Sequence, residues 1–118
     1  MFAAMRLAAN LARLVREDPA AISAARILGM ATRDGARALG MDDRIGSVEV
    51  GKEADLIVLD LDAPHLTPLR DAATTVVFSA GRSDVRHVIV AGQVVIADRQ
   101  PTQVDLAEVL EQARSVTR

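Results

Sequence analysis

The chain has 118 residues, half of them hydrophobic and a quarter charged, with a formal net charge of −2. This length and composition are typical of one folded domain and exclude an intrinsically disordered chain. The sequence has no cysteine, only two aromatic residues and no long basic block, which excludes disulfides and thiolate metal sites and argues against a nucleic-acid partner.

The hydropathy pattern also argues against a membrane partner. No apolar run reaches the roughly 18 to 20 residues that span a bilayer. Arg6, Asn10 and Arg13 interrupt the N-terminal segment, where a signal peptide would need a continuous apolar stretch. We therefore expect a cytoplasmic protein.

The first predicted element is a helix over residues 2–17, FAAMRLAANLARLVRE, which contains no glycine or proline. Arg6, Asn10, Arg13 and Glu17 recur at spacings of four, three and four and so form one narrow polar stripe. We expect this stripe to face solvent rather than to bind a phosphate or carboxylate. The rest of the circumference is apolar or small, so the helix needs cover on several sides.

A second helix is predicted from Ser23, whose hydroxyl can accept a hydrogen bond from the free N-terminal amides. Ile22 and Ile27 are spaced to form a hydrophobic staple around that cap. A further short helix is predicted through Ala38, with Gly40 as its left-handed C-terminal cap.

Strands are predicted from alternating or continuous runs of branched aliphatic residues over 45–50, 56–59, 74–79, 85–91 and 93–98. The last two form a hairpin that turns at Ala91 and Gly92. The segment 56–59 is apolar on both faces and should lie inside a sheet or beneath helices.

A last helix is predicted from Asp105, which with Glu108 has the spacing of a capping box. Its apolar residues repeat at helical spacing and are expected to form a buried stripe: Leu106, Val109, Leu110, Ala113 and Val116.

The order of helices, a small antiparallel sheet and one more helix predicts an α+β chain. A doubly wound domain and a complete barrel are excluded, because no strand-helix-strand alternation is complete. The few strands cannot cover so much apolar surface, and we infer that part of the cover lies outside this sequence.

Asp60, Asp62 and His65 form the most suggestive cluster of metal-ligating residue types. Two aspartates on one strand face with a histidine after the strand could form a site. The alternative, which we favour, is that the aspartates end a strand while His65 packs or hydrogen-bonds in a loop. His87 alternates with aliphatic residues on the predicted hairpin and is expected to be structural.

Nucleophilic catalysis and phosphate binding have less support. Ser79 and Ser83 have no base placed by the sequence, and the glycines are isolated turn residues without the spacing of a phosphate-binding loop. The polar turn Gly81–Asp84 is a minor candidate for binding a partner. The sequence therefore predicts no catalytic, metal-binding or substrate-binding residue in this chain.

Three stretches carry a resemblance to a known family: MATRDGARALGMDDRIGSVEVGKEADLIVLDL, PHLTPLRD and SDVRHVIVAGQVVIADRQ. In this order and spacing they resemble the C-terminal part of the amidohydrolase superfamily. Within it, they are most similar to the deaminase and chlorohydrolase branch, especially the 5-methylthioadenosine/S-adenosylhomocysteine deaminases.

The resemblance implies a fold. Such enzymes combine a metal-dependent (β/α)₈ barrel with a small composite β-sandwich built from both ends of the chain. Residues 1–40 would be the terminal helices of the barrel, residues 41–104 the C-terminal strands of the sandwich, and residues 105–118 a C-terminal helix.

The motif residues Gly51, Lys52, Ala54 and Asp55 match the turn at which the family's chain re-enters the sandwich. We expect Gly51 to make this turn and Lys52 and Glu53 to face water. Asp55 is expected to tie the backbone of the turn. These residues are thus expected to have a structural role.

The resemblance also implies what the chain lacks. The family's His-x-His pair, its further metal-binding histidines and its barrel aspartate all precede the segment that resembles Met1. We expect a C-terminal segment that binds no cofactor and is inactive alone. In the full-length enzyme a divalent metal, zinc or iron, would activate water for deamination.

The expected partners are therefore the missing barrel and sandwich strands of the same protein. A small-molecule substrate, an aminopurine nucleoside or related heterocycle, would bind only the full-length form, and a homo-oligomer is possible. The alternative function is a stand-alone structural module that pairs its open sheet edge with another chain.

Overall fold

A computed structural model describes residues 1–116 and shows a group of helices followed by a four-stranded sheet and a final helix. Thr117 and Arg118, which belong to the predicted C-terminal segment 105–118, lie outside the described residues. The α+β prediction is confirmed at this level.

The helical part begins with α1 (Phe2–Arg16) and α2 (Ala24–Gly29), which continues through a π-helical turn (Met30–Asp34) into α3 (Gly35–Ala38). Ser23 caps α2 as predicted, because its hydroxyl accepts a hydrogen bond from the Arg26 amide at 3.2 Å. Gly40, with a φ of 66°, has the left-handed conformation predicted after Ala38.

The main hydrophobic cluster of the described residues lies among helices. Met5 and Ala9 of α1 pack with Ile27 of α2 and with Val77, and each is at most 5% exposed. Val77 belongs to a π-helical turn (Thr75–Ser79) that continues the short helix α4 (Ala72–Thr74). The core therefore joins the first two helices to a segment about 50 residues further along the chain.

The predicted strand over 74–79 is therefore wrong. The Asp71 carboxylate accepts a hydrogen bond from the Thr74 amide at 2.7 Å and so begins a helix at this point. Val77 then becomes fully buried against α1 and α2. Capping and burial override the strand preference of the β-branched residues.

Two members of the polar stripe, Arg6 and Arg13, contact this same segment, so the expected solvent exposure is wrong for them. It is confirmed for Asn10 and Glu17, which are exposed. Arg6 donates a hydrogen bond to the carbonyl of Ala80 at 2.9 Å. The guanidinium of Arg13 lies 4.6 Å from the centroid of the Phe78 ring, in cation–π contact. Both arginines thus attach α1 to the chain that follows α4.

The sheet has the order β1-β2-β3-β4 with every neighbouring pair antiparallel: β1 (Leu56–Leu59), β2 (Val85–Val90), β3 (Gln93–Ala97) and β4 (Gln100–Pro101). The predicted hairpin is confirmed. Ala91 and Gly92 have φ angles of 49° and 81°, as a two-residue turn with positive φ requires.

Residues 45–50 were predicted to be a strand and instead form bends, a turn and irregular backbone. Gly46 has a φ of 92° and lies so close to α3 that a Cβ added to it would be 2.6 Å from that of Ala36. Val48 and Val50 are both exposed. The alternating pattern alone does not form a strand, because the described chain offers it no strand partner.

The last helix, α5 (Leu106–Val116), begins where predicted. The Asp105 carboxylate accepts hydrogen bonds from the amides of Ala107 at 2.9 Å and Glu108 at 3.3 Å. The predicted burial of its apolar stripe is wrong within the described residues, since Leu106, Val109 and Leu110 are 45–48% exposed. The described elements leave this face of α5 about half exposed.

Candidate functional site

The family-like motif lies at the end of a loop over residues 42–55, which we call the motif loop. Asp55 connects it to the sheet, because its Oδ1 accepts a hydrogen bond from the Ala91 amide at 2.7 Å. The Gly92 amide donates to the carbonyl of Ala54 at 3.1 Å. Asp55 was expected to tie the backbone of its own turn, and this is wrong: its carboxylate instead binds the backbone at the tip of the β2–β3 hairpin.

Lys52 holds the inside of the motif loop. Its ammonium donates to the carbonyl of Asp42 at 2.6 Å and to the hydroxyl of Ser47 at 2.7 Å, and its side chain is only 16% exposed. The expectation that Lys52 faces water is wrong. A charged donor with two protein acceptors can be largely buried because its hydrogen bonds are satisfied.

Glu53 forms a second set of contacts across the same loop, with Arg44. Its carboxylate accepts a hydrogen bond from Nε of Arg44 at 2.9 Å, and the Glu53 amide donates to the carbonyl of Arg44 at 2.8 Å. The hydrogen bond and charge of Glu53 raise the pKa of Arg44. Glu53 is thus paired within the loop and half-buried.

Gly51 has a φ of 93°, and a Cβ added to it would have no atom within 4 Å, so its role is the turn itself. The motif residues Gly51, Lys52, Ala54 and Asp55 therefore form turns and hydrogen bonds to backbone. Their arrangement joins the helical part to β1 and presents no pair of groups arranged for acid–base chemistry.

The structure separates the candidate cluster of Asp60, Asp62 and His65. Asp60 accepts a hydrogen bond from Nη2 of Arg99 at 2.9 Å, and its other oxygen accepts one from the Asp62 amide at 3.2 Å. These two hydrogen bonds, with that of Arg99 the larger influence, lower the pKa of Asp60. Asp60 thus ends β1, as the favoured alternative predicted.

His65 bonds elsewhere, with its Nε2 3.1 Å from Oδ2 of Asp84. Asp84 is 5% exposed and also accepts a hydrogen bond from the Gly81 amide at 2.8 Å. The hydrogen bond from His65, and next that from Gly81, lowers the pKa of Asp84. His65 therefore hydrogen-bonds in a loop as predicted.

Sequence reasoning missed the importance of Asp84, which appeared only as one member of a polar turn. The available signal was its place three residues after Gly81, where a carboxylate can accept a hydrogen bond from a turn amide. Its long-range contact with His65 depends on the folded chain and has no local signal.

The remaining candidates have structural contacts. Nδ1 of His87 accepts a hydrogen bond from the Asp98 amide at 3.2 Å, in keeping with its expected structural role. The carbonyl of Ser83 accepts a hydrogen bond from Nε of Arg99 at 3.2 Å. No hydrogen bond in the described part of the chain links the hydroxyl of Ser79 or Ser83 to a histidine.

Within residues 1–116, no group of three or more His, Asp or Glu side chains could hold a metal ion. These residues thus do not fit the divalent metal that the family resemblance implies. In the same part of the chain, none of the helices combines the length and hydropathy that crossing a membrane would require.

The surface between α1 and α2 contains an open apolar cavity of about 290 Å³, lined mainly by methionine, isoleucine and alanine side chains. Among the described residues, no charged or hydrogen-bonding side chain lines it. A substrate site needs a few convergent polar groups in such a cavity, so this surface has the character of a packing face.

Comparison with known proteins identifies the class of protein. The model of the amidohydrolase family matches residues 1–95. The chain therefore belongs to the amidohydrolase family.

Within the family, the similarity is to deaminases. The chain is 46% identical over 114 residues to a 5-methylthioadenosine/S-adenosylhomocysteine deaminase of Desulforudis audaxviator, covering 97% of this chain and 26% of that protein. The chain thus spans about a quarter of the length of the curated relatives it matches.

Solved structures agree with this similarity. A zinc-bound adenosine deaminase from Xanthomonas campestris matches with a TM-score of 0.91 and 43% identity over 98% of this chain and 26% of its own. An atrazine chlorohydrolase from Arthrobacter aurescens TC1, complexed with zinc, matches with a TM-score of 0.86 and 28% identity over 100% of this chain and 26% of its own.

Proposed function

We propose that the chain serves as the C-terminal part of a metal-dependent amidohydrolase that hydrolyses carbon–nitrogen bonds other than peptide bonds. The proposed reaction is deamination of an aminopurine nucleoside or a related heterocycle. The observation that carries this proposal is the 46% identity over nearly the whole chain with a deaminase named for two adenine-containing substrates.

In this proposal the chain supplies scaffold. Residues 1–40 would complete a barrel, residues 41–104 would form part of a composite β-sandwich, and residues 105–118 would form the C-terminal helix. Gly51, Lys52, Ala54 and Asp55 would hold the junction between the first two parts. The zinc or iron ligands would come from the rest of the enzyme, and the 118 residues alone would be inactive.

One test uses a chimera. This chain replaces the matching 26% of the Desulforudis audaxviator deaminase, and deamination of 5-methylthioadenosine is followed by absorbance. We expect a folded chimera that retains zinc or iron and activity. A chimera that also carries Gly46→Ala is the control, because this substitution should disturb the packing of the motif loop on α3 and lower the activity. A folded, metal-loaded but inactive chimera would contradict the proposal.

The inactivity of the chain alone is tested separately. The purified 118 residues are assayed with 5-methylthioadenosine, S-adenosylhomocysteine and adenosine, and bound metal is measured by mass spectrometry. We expect no turnover and no stoichiometric metal. Deamination that a chelator abolishes would show that this chain holds an active site.

A second candidate function rests on β1, which forms one edge of the sheet. Ile57 and Val58 point to opposite faces of β1 and are 51% and 44% exposed. An apolar edge strand can pair with another chain, so the chain could act as a stand-alone interaction module. A monomer at all concentrations in light scattering, with cooperative unfolding, would argue against this function.

A further inference from the structure

The loop over residues 61–70, which connects β1 to α4, has few attachments to the rest of the molecule. Leu66 is 3% exposed and anchors it by burial. The contact between His65 and Asp84 is the only hydrogen bond in the described residues that joins this loop to a residue more than four positions away. One polar contact thus holds the loop on the turn that precedes β2.

The two partners of this contact differ in their access to water. Asp84 is 5% exposed, so its carboxylate depends on the donors from Gly81 and His65. The side chain of His65 is 52% exposed to solvent. An imidazole ordinarily changes its charge between pH 5 and 8, whereas a hydrogen-bonded carboxylate stays ionised there.

The other charged groups around Asp84 do not replace His65. Arg99, from the turn between β3 and β4, acts on Asp84 by its charge but donates its hydrogen bonds to Asp60 and to the carbonyl of Ser83. Arg6 of α1 donates to the carbonyl of Ala80. Arg82, within the turn itself, is exposed. None of the three donates a described hydrogen bond to the Asp84 carboxylate.

We propose that His65 is a pH-dependent clasp that holds the 61–70 loop against the turn of residues 81–84 more tightly when its imidazole is protonated. The physical reason is that protonation adds an attraction between opposite charges to the hydrogen bond that the Asp84 carboxylate already accepts. The loop should therefore open less often at pH 5.5 than at pH 8. This inference is independent of the proposed function.

Amide hydrogen exchange of the 118-residue chain tests the clasp. The amides of Leu66 and Thr67 bond within the loop, and their protection factors, corrected for intrinsic exchange, report its opening. We expect protection about fivefold greater at pH 5.5 than at pH 8. His65→Gln should abolish the pH dependence, while His87→Gln, which alters the other histidine, should leave it intact.

A second variant, Asp84→Asn, removes the acceptor charge and should also abolish the dependence. The amides of Met5 and Ile27 in the helical core monitor whether each variant is folded. Equal protection at both pH values in the unaltered chain would overturn the proposal. So would a pH dependence that persists in His65→Gln, or loop amides that exchange at the rates of an unfolded chain throughout.

Discussion

The Asp55 carboxylate lies 2.7 Å from the backbone nitrogen of Ala91, across the junction between the motif loop and the β2–β3 hairpin. Beside it, the Gly92 amide donates to the carbonyl of Ala54 at 3.1 Å. The two hydrogen bonds run in the same direction, from the hairpin tip to the residues that enter β1. They fix where β1 begins relative to its neighbour β2.

Asp55→Ala should therefore lower the free energy of unfolding by about 1 kcal/mol, because the Ala91 amide loses its acceptor. Urea unfolding followed by circular dichroism measures the change. Asp43→Ala is the matched control, since Asp43 is exposed and makes no described hydrogen bond. Equal midpoints for the two variants would show that the Asp55 contact contributes nothing.

Gly46→Ala should be strongly destabilising, by about 3 kcal/mol, because it combines a strained positive φ with overpacking. The added Cβ would lie 2.6 Å from the Ala36 Cβ and 3.2 Å from the Thr32 carbonyl. Gly51→Ala has nearly the same φ, 93°, but open space around the new Cβ, and should cost only about 1 kcal/mol. Thermal unfolding of both variants separates packing from backbone strain.

Lys52→Met should loosen the motif loop while retaining much of the apolar stem of the side chain. Loss of the hydrogen bonds to Asp42 and Ser47 should cost about 2 kcal/mol, seen as faster amide exchange over residues 42–53. Arg70→Met removes a charge from an exposed side chain without a described hydrogen bond and serves as control. Unchanged exchange in Lys52→Met would mean that the loop is held by Arg44 and Glu53 instead.

Acid should destabilise the chain partly through Asp84, whose pKa is lowered by His65 and Gly81. A carboxyl with a lowered folded-state pKa contributes stability above its unfolded value, near 4, and this contribution is lost as pH falls through the folded value. Urea midpoints should therefore fall less steeply below pH 4 in Asp84→Asn than in the unaltered chain. Parallel pH profiles would assign the acid sensitivity to other carboxyls.

Most helices and the hairpin could be predicted, because their signals are local. Ser23 caps α2 within three residues, and Ala91 with Gly92 forms a turn whose geometry the sequence specifies. The segment 74–79 could not be predicted, because burial of Val77 between two distant helices decided its conformation. The strand prediction for residues 45–50 failed because a partner is missing. Apolar and polar residues alternate there as in a strand, but the described chain supplies no strand to pair with them.

The same distinction applies to the candidate site. Asp55 was expected to bind the backbone of its own turn, and its actual partner, the Ala91 amide 36 positions away, has no local signal in the sequence. His65 was expected to form a loop hydrogen bond, and only the fold shows that the acceptor is the buried Asp84. Charged side chains were predicted to face solvent. This prediction was wrong for Lys52, which binds Asp42 and Ser47, and for Arg13, which contacts the Phe78 ring.

The placement of the core among α1, α2 and the segment after α4 has a consequence for how the molecule loses its structure. None of the residues in β1, β2, β3 or β4 is fully buried, although the four strands form a continuous ladder. Regions with exposed hydrogen bonds and little apolar burial open at lower free energy than the rest. The sheet of this chain is therefore less stable to local opening than the helical core, and we expect its amides to become labile before those of α1 and α2 as denaturant is added.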